Sequence, residues 1–184
     1  TSIAQWEWQN PKPQGNTLNS ITNIPGSDSL IAIGDFGSIV RSANGSTWLS
    51  DTSTVDYITN FYDVEFVTRD VGFIAGANGL ILKTTDGGEK WDRVDSNSLF
   101  SDIEALCFIN ENVGYVVGEF STLGKTEDGG DTWTKISGSS SQFWYIDVYF
   151  MNENEGFVCG TNTFGTPSNN ILLHTQDRGV TWDT

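Results

Sequence analysis

Four turns of this chain bring a hydroxyl, an acid or amide, a glycine and a tryptophan together at similar spacing, a combination that could bind a metal ion or act in acid–base catalysis. An acid that recurs at the same turn of every repeat is typical of a structural element, whereas a catalytic acid is normally singular. Its carboxylate can accept hydrogen bonds from neighbouring backbone N–H groups and from the hydroxyl. We therefore predict that these turns stabilise the fold and provide neither a catalytic residue nor a metal site. Their residues are Thr84, Asp86, Gly88 and Trp91; Thr126, Asp128, Gly130 and Trp133; Thr175, Asp177, Gly179 and Trp182; and, in a turn one residue shorter, Ser42, Asn44 and Trp48.

Few other side chains offer reactive chemistry. The single histidine, His174, has no companion at metal-ligand spacing. Cys107 and Cys159 fall in different repeats, where apolar strand residues are expected, so we interpret them as buried thiols, with a disulfide between repeats as the alternative. A carboxylate pair suited to glycoside hydrolysis remains an alternative, because the chain has 24 acids. No cofactor is expected.

The turns belong to a repeat of 42 residues. Four glycines stand 42 residues apart, and each closes an apolar segment: Gly34, Gly76, Gly118 and Gly160. In the second repeat, residues 62–67 alternate polar and apolar, residues 71–76 are almost wholly apolar, and Asn78-Gly79 is a strong hairpin signal. Each repeat is therefore predicted to be a four-stranded antiparallel meander.

Tandem meanders of about 40 residues predict an all-β protein, a β-propeller of four-stranded antiparallel blades with four blades in this chain. We predict a single propeller, or a propeller segment, over residues 1–184, in which residues 1–10 form an outer strand that latches the last blade. A closed four-bladed ring, part of a larger ring of about seven blades and half of an eight-bladed dimer all remain open. The predicted blades span about residues 11–57, 58–98, 99–141 and 142–184.

The turn sequence resembles the Asp-box, or BNR, repeat. The longer pattern Gly-Phe-x-x-Gly, Asn-Gly and Ile-x-Lys-Thr-x-Asp-Gly-Gly-x-x-Trp, as at residues 72–91, resembles the Ycf48-like (photosystem II assembly factor-like) propeller repeat over roughly residues 16–184. The resemblance implies the propeller scaffold. Photosystem members of that family act as assembly factors and are thought to dock partners through a basic patch. This chain has only nine basic residues, so we expect the scaffold alone to be shared.

The net charge of −15 argues against nucleic acid and against anionic membrane surfaces as partners. No apolar run approaches the roughly 20 residues of a membrane-spanning helix, so no membrane insertion is expected. The glycine, serine and asparagine content, together with a signal-peptidase-like sequence ending at Ala4, favours an extracellular or cell-surface location.

The expected function is non-catalytic binding or scaffolding, with a protein partner and, as a second possibility, a glycan. Asp-boxes also occur in sialidases and xyloglucan-cleaving propellers, so a glycan-binding or glycoside hydrolase-type propeller is the alternative function. Trp144 and Tyr145, in an unusual aromatic cluster, are candidate contact residues, although packing between blades would also explain them. Phe164, in an insertion of the fourth repeat, is a third candidate, and a tolerated surface loop is the other interpretation.

Overall fold

The computed structural model describes residues 15–51, 59–94, 100–136, 142–162 and 170–184. Within these ranges the chain forms fifteen β-strands and two single 3-10 turns, at Asp35–Gly37 and Ala77–Gly79. The strands are β1 Leu18–Asn23, β2 Leu30–Gly34, β3 Ile39–Ser42, β4 Leu49–Asp51, β5 Phe61–Phe66, β6 Gly72–Gly76, β7 Leu80–Thr84, β8 Asp92–Arg93, β9 Ile103–Phe108, β10 Gly114–Gly118, β11 Thr122–Thr126, β12 Thr134–Lys135, β13 Phe143–Phe150, β14 Gly156–Asn162 and β15 Asn170–Thr175.

The strands form four antiparallel sheets, each a meander of strands that are consecutive in sequence. The sheets are β1–β4, β5–β8, β9–β12 and β13–β15. At the outer edge of the fourth sheet, Asp183 forms an antiparallel bridge with His174. The all-β fold of antiparallel meanders predicted from the repeat is confirmed.

Burial follows the pattern that the sequence predicts for these strands. In β5, the side chains of Phe61, Val64 and Phe66 are buried and the intervening residues are half-buried. All five residues of β6 are buried, as expected for a strand covered on both faces.

The four sheets pack face to face in chain order. Ile31 and Ile33 of the first sheet share a buried cluster with Phe61 and Phe66 of the second, and equivalent clusters join the second sheet to the third and the third to the fourth. Stacked aromatic rings recur at the later two interfaces, with centroids 4.2 Å apart in each case. The first strand of each sheet, which we call its inner strand, therefore lies next to the inner strand of the following sheet, as in a propeller.

The glycines that recur every 42 residues lie where a sheet meets the segment that leads into its inner strand. A Cβ atom at any of them would lie 1.8–2.3 Å from a backbone carbonyl oxygen, closer than real Cβ atoms approach. In the first three repeats, this carbonyl oxygen also accepts a hydrogen bond from the N–H of the residue that follows the glycine. The backbone is extended at Gly34 and Gly76, so close approach and not an unusual φ requires glycine. The affected pairs are Gly34 and Thr17, Gly76 and Asn60, Gly118 and Asp102, and Gly160 and Trp144.

Two half-buried carboxylates connect the second sheet to the third. Asp63 accepts the backbone N–H of Leu106 at 3.0 Å, and Glu65 accepts that of Phe108 at 2.9 Å. Burial raises the pKa of Asp63 and raises the pKa of Glu65 to about 7, although these backbone bonds partly oppose the shift. The bonds assign both acids to the contact between sheets.

The predicted outer strand at residues 1–10 lies outside the described residues, as do residues 163–169 of the insertion predicted between Gly160 and Ile171. Cys159 is a free, exposed thiol, so its interpretation as a buried thiol is wrong. In the described ranges, no helix is long and apolar enough to cross a membrane.

Candidate binding face

In each of the first three sheets, a hairpin joins the second strand to the third, with its tip at residues 35–37, 77–79 or 119–121. These tips, together with the segments that lead into the first strand of the following sheet, form one end of the stack of sheets. We call this end the hairpin face. The middle residue of each tip has a left-handed φ: 55° at Phe36, 57° at Asn78 and 51° at Phe120. Asparagine adopts this conformation readily, but for phenylalanine it costs about 1–2 kcal/mol. Backbone strain of this kind persists only where the surrounding structure imposes it.

Hydrogen bonds to the next sheet impose this conformation. The Gly37 N–H donates to the Thr59 carbonyl oxygen at 2.6 Å, and the Ser121 N–H donates to the Phe143 carbonyl oxygen at 2.6 Å. The Phe36 N–H also donates to the side-chain oxygen of Asn60 at 3.2 Å. The rings are held outward as a result, with 65% of Phe36 and 51% of Phe120 exposed.

Four carboxylates lie on or beside the hairpin face: Asp35 and Glu119, each directly before an exposed phenylalanine, and Asp102 and Glu104 at the entry to β9. Asp102 accepts the backbone N–H of Asn78 at 2.8 Å. Among the residues that the structure describes, none of the four forms an ion pair with lysine or arginine. The face is therefore negatively charged as well as aromatic.

The proximity of these acids is reflected in their titration. Burial raises the pKa of Glu104, and the charges of Asp102 and Glu119 raise it further. The Tyr62 hydroxyl donates to Asp102 at 3.1 Å, and burial followed by the charge of Asp102 raises the pKa of Tyr62 to about 12. A bound cation or cationic side chain would relieve this repulsion.

The three predicted contact residues have different surroundings. Trp144 is half-buried at the start of β13 and lies beside Glu104, at the edge of the hairpin face. Tyr145 is fully buried in the core between the third and fourth sheets, so the structure does not offer it as a contact residue. Phe164 lies outside the described residues, in the segment that joins Asn162 to Asn170.

The three full-length turns share three hydrogen bonds: threonine hydroxyl to aspartate, glycine N–H to threonine, and to aspartate the N–H of the residue before the tryptophan. In the third repeat, the Thr126 hydroxyl donates to Asp128 at 2.9 Å and accepts the Gly130 N–H at 2.9 Å. Asp128 also accepts the backbone N–H of Thr132 at 2.9 Å and its hydroxyl at 2.6 Å. The Thr132 hydroxyl and then its N–H lower the pKa of Asp128 to about 2. The lone pairs of this carboxylate are directed at the turn itself.

The other turns repeat or reduce this arrangement. The bonds from threonine to aspartate and from glycine to threonine recur at Thr84, Asp86 and Gly88 and at Thr175, Asp177 and Gly179. In the shorter first turn, Asn44 replaces the acid and accepts the N–H groups of Ser46 and Thr47. The tryptophans cover the core edge-on: Trp91, Trp133 and Trp182 each meet a phenylalanine at 5.8–6.0 Å, while Trp48 is half-buried.

Sequence reasoning did not find Phe36, Phe120 or the neighbouring acids. A signal was present, because both phenylalanines stand two residues after a repeated glycine, at the position of Asn78. The left-handed conformation of this turn position favours asparagine, so an aromatic residue there indicates a constraint other than turn formation.

Comparison with known proteins places the chain in a family. The family model described as photosynthesis system II assembly factor YCF48 matches residues 4–85 and 88–184. The chain belongs to the YCF48 family. The photosystem II assembly lipoprotein Ycf48 of Picosynechococcus sp. is 44% identical over 55 residues, which cover 29% of this chain and 16% of that protein. The protein of the same name from Prochlorococcus marinus is 53% identical over 36 residues, which cover 20% of this chain and 11% of that protein.

Solved structures share the fold at low sequence identity. YCF48 bound to D1 peptide superposes with a TM-score of 0.62 at 15% identity, over 93% of this chain and 82% of that chain. YCF48 from Cyanidioschyzon merolae gives 0.71 at 20% identity, over 89% and 54%. The GH74 xyloglucanase from Xanthomonas campestris gives 0.69 at 15% identity, over 90% and 30%. At these identities the likeness shows the fold, which confirms the predicted propeller.

The expected extracellular or cell-surface location is wrong. The curated relatives are named photosystem II assembly lipoproteins of cyanobacteria, and that name associates them with the photosynthetic apparatus and not with the outside of the cell. Composition misled the prediction, because an acidic, glycine- and asparagine-rich surface reflects solubility and tight turns in any compartment.

Proposed function

We propose that this chain is a non-catalytic, protein-binding propeller that takes a positively charged segment of its partner on the hairpin face. The observation that carries the proposal is the combination, on one face, of two exposed phenylalanines held in a strained conformation and four carboxylates without ion-pair partners among the described residues. Carboxylates attract lysine and arginine, and an aromatic ring contributes about 0.5–1 kcal/mol to an exposed cation–π contact.

The family supports protein binding, since a solved relative is named as bound to D1 peptide. Docking through a basic patch is less suited to this chain, which has 9 basic and 24 acidic residues. We therefore propose that the scaffold and its use for peptide binding are shared and that the preferred charge of the bound segment is the opposite one. Assembly of photosystem II is the process that the names of the relatives suggest, and D1 peptide is accordingly one of the probes.

A glycoside hydrolase is the competing function, because GH74 enzymes share the fold. The half-buried carboxylate of Glu65, whose pKa is raised to about 7, would be the natural general acid. Its position disfavours that role, because Glu65 accepts the Phe108 N–H between two packed sheets. Release of reducing sugar from xyloglucan would support the hydrolase and contradict the non-catalytic proposal.

Fluorescence anisotropy with labelled peptides tests the proposal. A lysine-rich peptide should bind more tightly than an acidic peptide of equal length, and its affinity should fall as salt is raised. Asp102→Asn should weaken binding several-fold without disturbing the turn, because asparagine already occupies the equivalent position 60 and accepts the same kind of bond. Phe36→Ala should weaken binding about three-fold.

Matched controls separate this face from charge in general. Glu111→Gln removes an acid from the loop between β9 and β10, away from the hairpin tips, and should leave binding unchanged. Equal affinity for the lysine-rich and acidic peptides would contradict the proposal, as would equal losses from Glu111→Gln and Asp102→Asn. Tighter binding of D1 peptide than of the lysine-rich peptide, independent of salt, would show that charge is not the basis of recognition.

A further inference from the structure

A cavity of about 430 Å³ opens between the first and second sheets, at the end of the stack opposite the hairpin face. Its place follows from the topology, because the β1–β2 loop and the turn between β3 and β4 lie at the other end of the strands from the tip at residues 35–37. The cavity is lined by Ile24 and Leu30, by the turn of the first repeat, and by Glu89 in the turn of the second. We call it the turn cavity.

In the other three repeats, two aromatic rings pack together beside the corresponding turn. Phe66 meets Trp91 edge-on with ring centroids 5.8 Å apart, and the third and fourth repeats have equivalent pairs at 6.0 Å. The first repeat has Ile24 where the second has Phe66, and its turn is one residue shorter before Trp48. Trp48 is half-buried and does not line the cavity. The turn cavity therefore lies where the later repeats place an indole ring against a phenyl ring.

The wall of the turn cavity is apolar at a position that is polar in the later repeats. Leu49 directly follows Trp48 and is 70% exposed. The residues that follow the later tryptophans are Asp92, Thr134 and Asp183. Because Leu49 lines the same cavity as Ile24 and Leu30, the three leave a continuous apolar patch and not a single scattered residue. A concave apolar patch with a few polar groups at its edge is typical of a binding site.

Arg41 gives the turn cavity a cation suited to an aromatic ring. Its position corresponds to Lys83, whose ammonium group lies 5.7 Å from the centre of the Phe73 ring, and the third sheet repeats this contact at 5.8 Å. In the first sheet, Ile31 stands in the place of that ring. Arg41 lines the cavity, and its Nη1 donates to Glu89 Oε1 of the second turn at 3.0 Å. A ring that enters the cavity would meet the guanidinium group, which attracts the face of an aromatic ring.

Hydrogen bonds fix the walls of the turn cavity. In the first turn, Asn44 Oδ1 accepts the N–H of Ser46 at 2.9 Å and that of Thr47 at 3.1 Å. In the second turn, the Gly87 N–H donates to the Asp70 carbonyl oxygen at 2.9 Å. The cavity is therefore preformed, and a side chain can enter it without the cost of ordering a loop.

We propose that the turn cavity binds a tryptophan side chain of a partner protein, in the place that the later repeats fill with an indole ring of their own. The apolar patch accounts for burial of the ring, and the Arg41 guanidinium group accounts for a preference over aliphatic side chains. The inference goes beyond the proposed function, because the cavity lies at the other end of the stack and recognises a ring and not a positive charge.

Titration of the isotopically labelled chain with N-acetyltryptophanamide tests the proposal, because amide chemical shifts report the site directly. Saturable shifts are expected at residues 42–47 and 87–89. N-acetylleucinamide should bind about five-fold more weakly, because it has no ring to meet the guanidinium group. Equal affinities for the two amides, shifts confined to the hairpin tips, or no saturable shift would each overturn the proposal, and these outcomes require no variant.

A pair of matched variants tests the position of the site. Ala43 is exposed and lines the cavity, so Ala43→Tyr should fill the cavity from its rim and abolish the shifts caused by N-acetyltryptophanamide. Thr85→Tyr is the control, because Thr85 is exposed at the equivalent position of the second turn, where Phe66 and Trp91 already pack together. Unchanged binding in Ala43→Tyr, or an equal loss in Thr85→Tyr, would overturn the proposal.

Discussion

Replacing Gly118 by alanine places a methyl carbon 2.0 Å from the carbonyl oxygen of Asp102. Real Cβ contacts are essentially never under 3.0 Å, so the oxygen or the strand must move by about 1 Å. The same oxygen accepts the Glu119 N–H at 3.0 Å, and that bond would be lost or lengthened by the movement. The neighbour is backbone, so no side-chain rotation can relieve the overlap.

The expected loss of unfolding free energy is about 3 kcal/mol. Overpacking in a rigid site costs about 1–3 kcal/mol, and a lost backbone hydrogen bond adds about 1 kcal/mol. With a urea m-value of about 2 kcal/mol/M, the midpoint of unfolding should fall by roughly 1.5 M. Urea titration followed by tryptophan fluorescence measures this, because Trp133 is buried in the same sheet.

Gly15→Ala is the matched control. A Cβ at Gly15 meets nothing within 4 Å, so its unfolding free energy should stay within about 0.5 kcal/mol of the parent. If Gly118→Ala also stayed within 1 kcal/mol of the parent, the close-approach explanation of the 42-residue glycine repeat would be refuted.

Two further predictions concern acids with opposite pKa shifts. Asp128→Asn should lower the unfolding free energy by about 1 kcal/mol at pH 7, because the amide cannot accept both Thr132 bonds. The lowered pKa of Asp128 means that its stabilisation is present above its ordinary value near 4 and is lost as pH falls towards 2; an unchanged acid midpoint in the variant would contradict this. Glu65 has a raised pKa of about 7, so its protonated form is stabilising at low pH and that stability is lost as pH rises through 7. Glu65→Gln can still accept the Phe108 N–H and should be more stable than the parent at pH 8, on the order of 2–3 kcal/mol, and equal to it at pH 4, as chemical denaturation at both pH values will test.

The fold could be predicted because each repeat presents the same local signals. A buried run such as residues 72–76, a positive-φ pair at Asn78-Gly79 and a closing tryptophan lead to the same meander each time. The first repeat departs from the pattern at two positions that compensate for each other in size. Ile24 and Leu30 in the first repeat replace a phenylalanine and a glycine, and the larger residue at position 30 reaches the space beside Gly45. The first repeat therefore has a smaller residue at position 24 and a larger one at position 30 than the second repeat has at Phe66 and Gly72.

The candidate site could be predicted only in part, because side-chain direction depends on register. A bulge between Tyr145 and Asp147 shifts the alternation of β13. Tyr145 consequently points into the core, while Trp144 stays at the edge of the hairpin face. Repeat position marks Phe36 and Phe120 as turn residues, but the outward direction of their rings depends on hydrogen bonds to residues that lead into or begin the next sheet.

Amide chemical shifts that map a bound lysine-rich peptide onto the chain would test whether the hairpin face is the binding surface. Shifts should appear first at the hairpin tips, in residues 35–37 and 119–121, and at Asp102, and added salt should reverse them. Shifts confined to the Asp-box turns or to the outer face of the fourth sheet would contradict binding at the hairpin face. No shifts at peptide concentrations that saturate the anisotropy signal would contradict it as well.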